Sequence, residues 1–148
     1  MFKRVYVEIT NVCNLSCVFC PGTERAKRFL SPAEFRLMAE KLRGNRRLAP
    51  GLFLESAQKF DWPSPDAAEG PVQFCHALRQ QIAVLCDGTV VPCCLDGEGR
   101  MALGNLLTQQ LPDILNTPRA QTIREGFSRR RPAEGLCRRC GYAQRFSL

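Results

Sequence analysis

Three cysteines within eight residues, Cys13-x-x-x-Cys17-x-x-Cys20, constrain this chain more than any other feature. They follow an apolar run, Val5-Tyr-Val-Glu-Ile-Thr10, so the thiols sit on a loop leaving a predicted strand. A [4Fe–4S] cube has four irons, and proteins usually supply a thiolate to each. Three closely spaced thiolates hold three irons and leave the fourth open to a small molecule, to which it can pass an electron. The competing readings fit less well. Structural zinc takes four ligands arranged as pairs. No fourth ligand lies near Cys20, and the one histidine, His76, is far along the chain. Nine cysteines is an odd number, and Lys3-Arg4 leads straight into a strand rather than a secretory leader. Both points count against a disulfide framework.

Composition narrows the function classes. No apolar stretch approaches the length of a membrane span, so no membrane partner is expected. Free thiols and iron–sulfur chemistry with no leader imply a cytoplasmic, reducing location. The net charge of +7 is carried mostly by arginine, in groups such as Arg43-Gly-Asn-Arg46-Arg47 and Arg129-Arg130-Arg131. No nucleic-acid-binding pattern accompanies these groups. They read as a solvated face, with partial neutralisation of anionic thiolate sites, and nucleic acid is not the expected partner.

The first segment, residues 1–47, reads as one βα unit. Residues 3–10 form the strand, 11–30 the cysteine loop with a turn at Pro21-Gly22, and Ser31-Pro32-Ala33-Glu34 starts a helix. The Ser31 hydroxyl can cap, Glu34 can complete a capping box, and proline suits the first helical position. Phe35, Met38, Ala39 and Leu42 form one apolar face, and Gly44 is a stop signal. A parallel strand and its helix need a sheet to join. Residues 48–71 contain a short strand, Gly51-Leu-Phe-Leu-Glu-Ser56, and a proline-rich linker whose Trp62 packs it.

Residues 72–148 carry six cysteines. Ile82 to Cys86, Asp87-Gly88 and Thr89 to Cys93 predict a β-hairpin with a two-residue type I′ turn. Pro92 restricts the second strand to an edge or places it at a strand end. Asn116-Thr117-Pro118 starts a helix with an Ala120, Ile123, Phe127 stripe, ended by Arg129 to Pro132. Cys137-Arg-Arg-Cys140 follows on a loop. Cys86 reads as a half-buried strand residue and His76 as a local hydrogen-bonding residue.

The triplet, with aromatic Phe19 before its last cysteine, resembles the radical S-adenosylmethionine (SAM) superfamily. The second half is similar to the SPASM or twitch auxiliary-cluster domain of peptide- and protein-modifying members. It shares Cys75, then Gly88-Thr-Val-Val-Pro-Cys93-Cys94-Leu-Asp96, Leu103-Gly104-Asn105-Leu106, and Cys137-x-x-Cys140. The resemblance implies a SAM-binding [4Fe–4S] cluster on Cys13, Cys17 and Cys20, with Phe19 lining the adenine. It implies an auxiliary [4Fe–4S] cluster on Cys75, Cys93, Cys137 and Cys140. Cys86 and Cys94 are then extra; adjacent cysteines in a strand point to opposite sides, so Cys93 and Cys94 are not expected to serve the same cluster. The implied activity is reductive cleavage of SAM, fed by an electron donor, to a 5′-deoxyadenosyl radical that modifies a peptide, protein or small molecule. By spacing alone the second group is equally a structural zinc pattern. The triplet in the same chain favours the cluster.

The implied fold class is α/β: a remnant of a partial (β/α) TIM-like barrel, comprising the first βα unit and one later strand, followed by a small α+β hairpin–helix domain. An eight-fold barrel takes about 250 residues. Only ten residues separate Leu42 from Phe53 here. No Gly-Gly-Glu-like strand end for the SAM amine is found, because Gly97-Glu98 lies inside the auxiliary loop. An internal deletion near residues 44–48 and impaired SAM binding are therefore expected. Two other classes stay open: an iron–sulfur electron-transfer module without SAM chemistry, and a zinc-stabilised basic interaction module.

Overall fold

The computed structural model describes residues 4–13, 20, 22–42 and 60–146. Cys17, Phe19, Gly44 and the expected strand at residues 51–56 lie outside them. The architecture is mixed α/β, built on a four-stranded sheet in the order β1-β2-β3-β4. The strands are β1 (Arg4–Val7), β2 (Gln81–Val84), β3 (Thr89–Val91) and β4 (Gly104–Asn105). Helix α1 (Pro32–Leu42) follows β1; α2 (Leu111–Leu115), α3 (Pro118–Ser128), α4 (Gly135–Arg138) and α5 (Gly141–Gln144) follow β4.

The N-terminal strand obtains its sheet from the second half of the chain. β1 pairs parallel with β2, Val5 against Ile82 and Val7 against Val84. The Glu8 N–H extends the ladder to the Val84 carbonyl at 2.8 Å. Alternation does the sorting: Val5 and Val7 pack on the main core, and Tyr6 is exposed. In β2, Ile82 and Val84 enter that core while Ala83 joins Leu85 and Val91 in a small cluster of its own. Helix α1 is fastened at two points. Met38 is 1% exposed within the main core, and Lys41 Nζ donates to the carbonyls of Leu106 at 2.7 Å and Gln109 at 3.1 Å.

The two helix-start signals formed as the sequence predicts. The Ser31 N–H donates to Glu34 at 2.9 Å and the Glu34 N–H to the Ser31 hydroxyl at 3.2 Å, closing the capping box. Thr117 caps α3, and Ala120, Ile123 and Phe127 are its buried face. Other expectations need correction. Phe35 is 47% exposed, because α1 meets the core through Met38. The hairpin exists, but its loop is Cys86-Asp87-Gly88. The Leu85 carbonyl accepts from the Gly88 N–H at 2.9 Å and the Leu85 N–H donates to Thr89 at 2.8 Å. Gly88 has φ +87°, whereas Asp87 is not among the positive-φ residues that a type I′ turn requires. A segment folded over the turn accounts for Gly88. Leu106 N–H donates to the Gly88 carbonyl, and an added Cβ would sit 2.5 Å from Asn105 Oδ1 and 2.7 Å from Leu107 Cγ.

Candidate metal centre

Four cysteines reach one region of the core from three segments. Cys75 ends an extended segment before the Ala77–Gln81 bridge. Cys93 lies two residues beyond β3. Cys137 sits in α4 and Cys140 at the N-cap of α5. The Cys-x2-Cys pair is thus carried by two short helical turns, not by a loop. All four are at most 9% exposed and belong to the main hydrophobic core.

The thiols feel each other's charge. Cys75 interacts with Cys140, Cys93 with Cys137 and Cys75, and Cys137 with Cys75 and Cys140. Burial raises the pKa of all four, most strongly at Cys93 and Cys137, and thiol–thiol repulsion adds to it at Cys75, Cys93 and Cys137. Backbone N–H groups oppose this: those of Ala77 and His76 at Cys75, of Leu95 at Cys93, and of Ala143 and Tyr142 at Cys140. The pocket therefore keeps protonated thiols until a cation compensates, and it already supplies donors aimed at sulfur. That donor set suits thiolate ligation of iron, where N–H···S bonds also tune the potential. Among the described residues, no group of three or more Cys, His, Asp or Glu side chains converges tightly enough for a single metal ion.

Several surrounding residues shape this pocket that sequence reasoning did not assign. Asp96, 1% exposed, accepts from Arg100 and Met101 N–H groups at 2.9 and 2.7 Å, folding a tight loop. Burial still raises its pKa despite those bonds. The loop puts Met101 Sδ 3.6 Å from Cys137 Sγ. Arg119 joins that loop to the N-cap of α4 through the Arg100 and Ala102 carbonyls and a 2.6 Å ion pair with Glu134. Cys94 is exposed yet interacts with Cys140, Cys75 and Cys93. The opposite-sides argument for Cys93 and Cys94 does not apply, since β3 ends at Val91 and both lie in a bend and turn after Pro92. His76 packs edge-on against Phe74 and Phe146, and its Nδ1 is buried without a hydrogen-bond partner, so its side chain is a member of a half-buried aromatic cluster.

The first cysteine group is arranged differently. Cys13 and Cys20 are exposed. The base of their loop is closed by the antiparallel Thr10–Phe29 bridge and by buried Asn11, which donates to Ala26 and accepts from the Arg28 N–H. Arg25 grips Glu8 with two bonds, at 2.7 and 3.0 Å. The same carboxylate accepts from the Cys86 N–H at 3.0 Å. Burial alone would raise the Glu8 pKa, but the Arg25 and Cys86 bonds outweigh it and hold it below the usual range. Cys86 is fully buried in the hairpin turn, so it is a structural thiol joining the cysteine loop to the hairpin, not a half-buried strand residue.

Among the described residues, no helix is long and apolar enough to cross a membrane. Comparison with known proteins gives two findings. The family model of SPASM, an iron–sulfur cluster-binding domain, matches residues 75–141. The fold is similar to the crystal structure of BtrN in complex with AdoMet and 2-DOIA, with a TM-score of 0.66 at 17% sequence identity, covering 95% of this chain and 93% of that chain. No curated protein matches the chain.

Proposed function

We propose that this chain, whose residues 75–141 match the SPASM iron–sulfur domain and whose fold resembles that of BtrN in complex with AdoMet, is a radical SAM/SPASM iron–sulfur protein with impaired SAM chemistry. The observation that carries this reading is the gathering of Cys75, Cys93, Cys137 and Cys140 in one buried neighbourhood inside the matched segment. Those four would hold an auxiliary [4Fe–4S] cluster. Backbone N–H groups around Cys75, Cys93 and Cys140 stabilise their thiolate forms, and the apolar wall excludes water. Cys13, Cys17 and Cys20 would hold the SAM-site cluster, with Phe19 against the adenine. When bound, the SAM-site cluster supplies an electron for reductive cleavage of SAM to a 5′-deoxyadenosyl radical, the chemistry by which the family modifies peptides, proteins or small molecules. The lack of a Gly-Gly-Glu-like strand end in the sequence, and the ten residues between Leu42 and Phe53, support the impairment and the reading of the N-terminal unit as a barrel remnant.

The test is anaerobic reconstitution with iron and sulfide, followed by metal and acid-labile sulfide analysis and a SAM-cleavage assay with dithionite as reductant. The expected result is brown protein with up to two clusters and 5′-deoxyadenosine near background. Stoichiometric zinc without sulfide would refute the iron–sulfur reading. Robust, Cys17-dependent 5′-deoxyadenosine would refute the impairment alone.

A further inference from the structure

Cys137 meets a neighbour of a different kind from those of the other buried thiols. The N–H groups that follow it are spent inside α4 and its end. Arg138 N–H donates to the Glu134 carbonyl at 3.2 Å, Arg139 N–H to Leu136 at 3.2 Å, and Cys140 N–H to the Cys137 carbonyl at 3.3 Å. The Cys137 sulfur lies instead against Met101, whose Sδ is 3.6 Å from Sγ and whose side chain is 2% exposed. A thioether carries lone pairs and no proton. It accepts from the Cys137 thiol, but it has nothing to donate to a thiolate. Two fastenings hold Met101 in place. The Asp96 carboxylate accepts from the Arg100 and Met101 N–H groups. The Arg119 guanidinium donates to the carbonyls on either side of Met101, Arg100 at 3.0 Å and Ala102 at 3.3 Å. It also grips Glu134, the N-cap of α4, at 2.6 and 3.0 Å. The loop that carries Met101 is thereby tied to the helix that carries Cys137.

We propose that Met101 is a positioning residue that keeps the Cys137 ligand dry and free of a hydrogen-bond donor, and so holds the auxiliary cluster at a lower reduction potential than a donor there would set. The proposal rests on the iron–sulfur reading of that centre. Hydrogen bonds to the sulfurs and access of solvent set the potential of such a cluster. Both stabilise the more negative, reduced state, and Met101 withholds both at one ligand. The couple concerned is one electron passing from an external reductant to the cluster, with no bond made or broken and no proton moved.

The experiment uses full-length Cys17→Ala protein as parent, so that iron counts and EPR signals report the auxiliary site alone. Met101→Leu, Met101→Gln and Arg119→Gln are made in it and reconstituted anaerobically with iron and sulfide. Iron, sulfide and the midpoint potential, from an EPR-monitored redox titration, are measured. Met101→Leu keeps the apolar wall and should hold about four irons per chain at the parent potential. Met101→Gln puts an amide donor beside Cys137 and should favour the reduced cluster about tenfold, an upward shift of about 59 mV for one electron. Arg119, with a side chain 41% exposed, tolerates replacement. Arg119→Gln frees the loop from α4, admits water to Cys137, and should raise the potential by less at unchanged iron content. Unshifted potentials in Met101→Gln and Arg119→Gln, with iron retained, would overturn the proposal and leave the iron–sulfur reading standing. A Met101→Leu shift as large as that of Met101→Gln, or iron loss in Met101→Leu, would also overturn it, because Met101 would then act by packing alone. If Met101→Gln does not assemble its cluster, the Arg119→Gln potential decides. Zinc without sulfide in the parent protein would overturn both.

Discussion

Cys13 and Cys20 are exposed on a loop whose base is closed by backbone and side-chain hydrogen bonds, whereas Cys75, Cys93, Cys137 and Cys140 lie inside the main hydrophobic core. The contrast shows two ways of building a thiol site. In the first, the polypeptide supplies the framework, through Asn11, the Thr10–Phe29 bridge and the Glu8–Arg25–Cys86 tie. In the second, the thiols are the framework. Four sulfurs replace apolar packing, and burial suppresses the thiolates that a metal would use. On the proposed iron–sulfur reading, metal binding and folding are one process in the C-terminal part. In the N-terminal part they can separate.

The largest test of that contrast is loss of one buried ligand. Structural metal sites contribute on the order of 10 kcal/mol to folding. In anaerobic denaturation of reconstituted protein, Cys137→Ala should remove most of the stability of the C-terminal part, and Cys13→Ala should leave it nearly intact. Equal losses would erase the distinction. Core truncations come next. Phe127→Ala should cost about 3–5 kcal/mol and Met38→Ala about 2–5 kcal/mol, because both are within 2% of complete burial. Phe35→Ala, on the same helix as Met38, should stay within about 0.5 kcal/mol. A large Phe35 effect would mean that α1 docks by a different face.

The Glu8 tie sharpens the comparison, since it is where the two regions meet. Glu8→Gln keeps the shape but leaves the Arg25 guanidinium, with side-chain exposure of 15%, without its counter-charge. A loss of about 1.5–3 kcal/mol in urea midpoint analysis is expected, with faster labelling of Cys20 and an unchanged auxiliary iron content. An iron loss would place the tie inside the auxiliary centre. Amide exchange should be at least tenfold slower, about 1.4 kcal/mol, in residues 82–127 than in residues 22–42 of metal-loaded protein. Uniform protection would show that the shared sheet couples the regions fully.

The smallest effect is the acid response of α1. The Arg28 guanidinium first, and then the Ser31 hydroxyl and N–H, lower the Glu34 pKa from 4.5 to about 2. A depressed folded-state value means that this contribution is complete above pH 4.5 and fades as pH falls toward 2. Arg28 and Glu34 are solvent-screened, so only a modest early loss of α1 exchange protection is expected below pH 4.5, absent in Glu34→Gln. An unchanged pH profile in that variant would remove the capping box from the account.

The legible parts of this protein are those whose partners lie within a few residues. The Ser31–Glu34 box, the Thr117 cap and the Ala120-Ile123-Phe127 stripe depend on spacing along one helix, and spacing is written in the chain. The Cys-x2-Cys pair and the site of the Asp87-Gly88 turn are legible for the same reason. Tertiary structure decided the rest. The turn type follows from residues 105–107 folding over Gly88. Met38, not Phe35, is buried because packing on the main core and the Lys41 bonds to the Leu106 and Gln109 carbonyls set the rotation of α1. Cys93 and Cys94 escape strand alternation because β3 stops at Val91, before Pro92. The parallel pairing of Val5 and Val7 with Ile82 and Val84 spans more than seventy residues. Periodicity shows that a strand needs a neighbour, but only the closing of that long loop selects which neighbour it obtains.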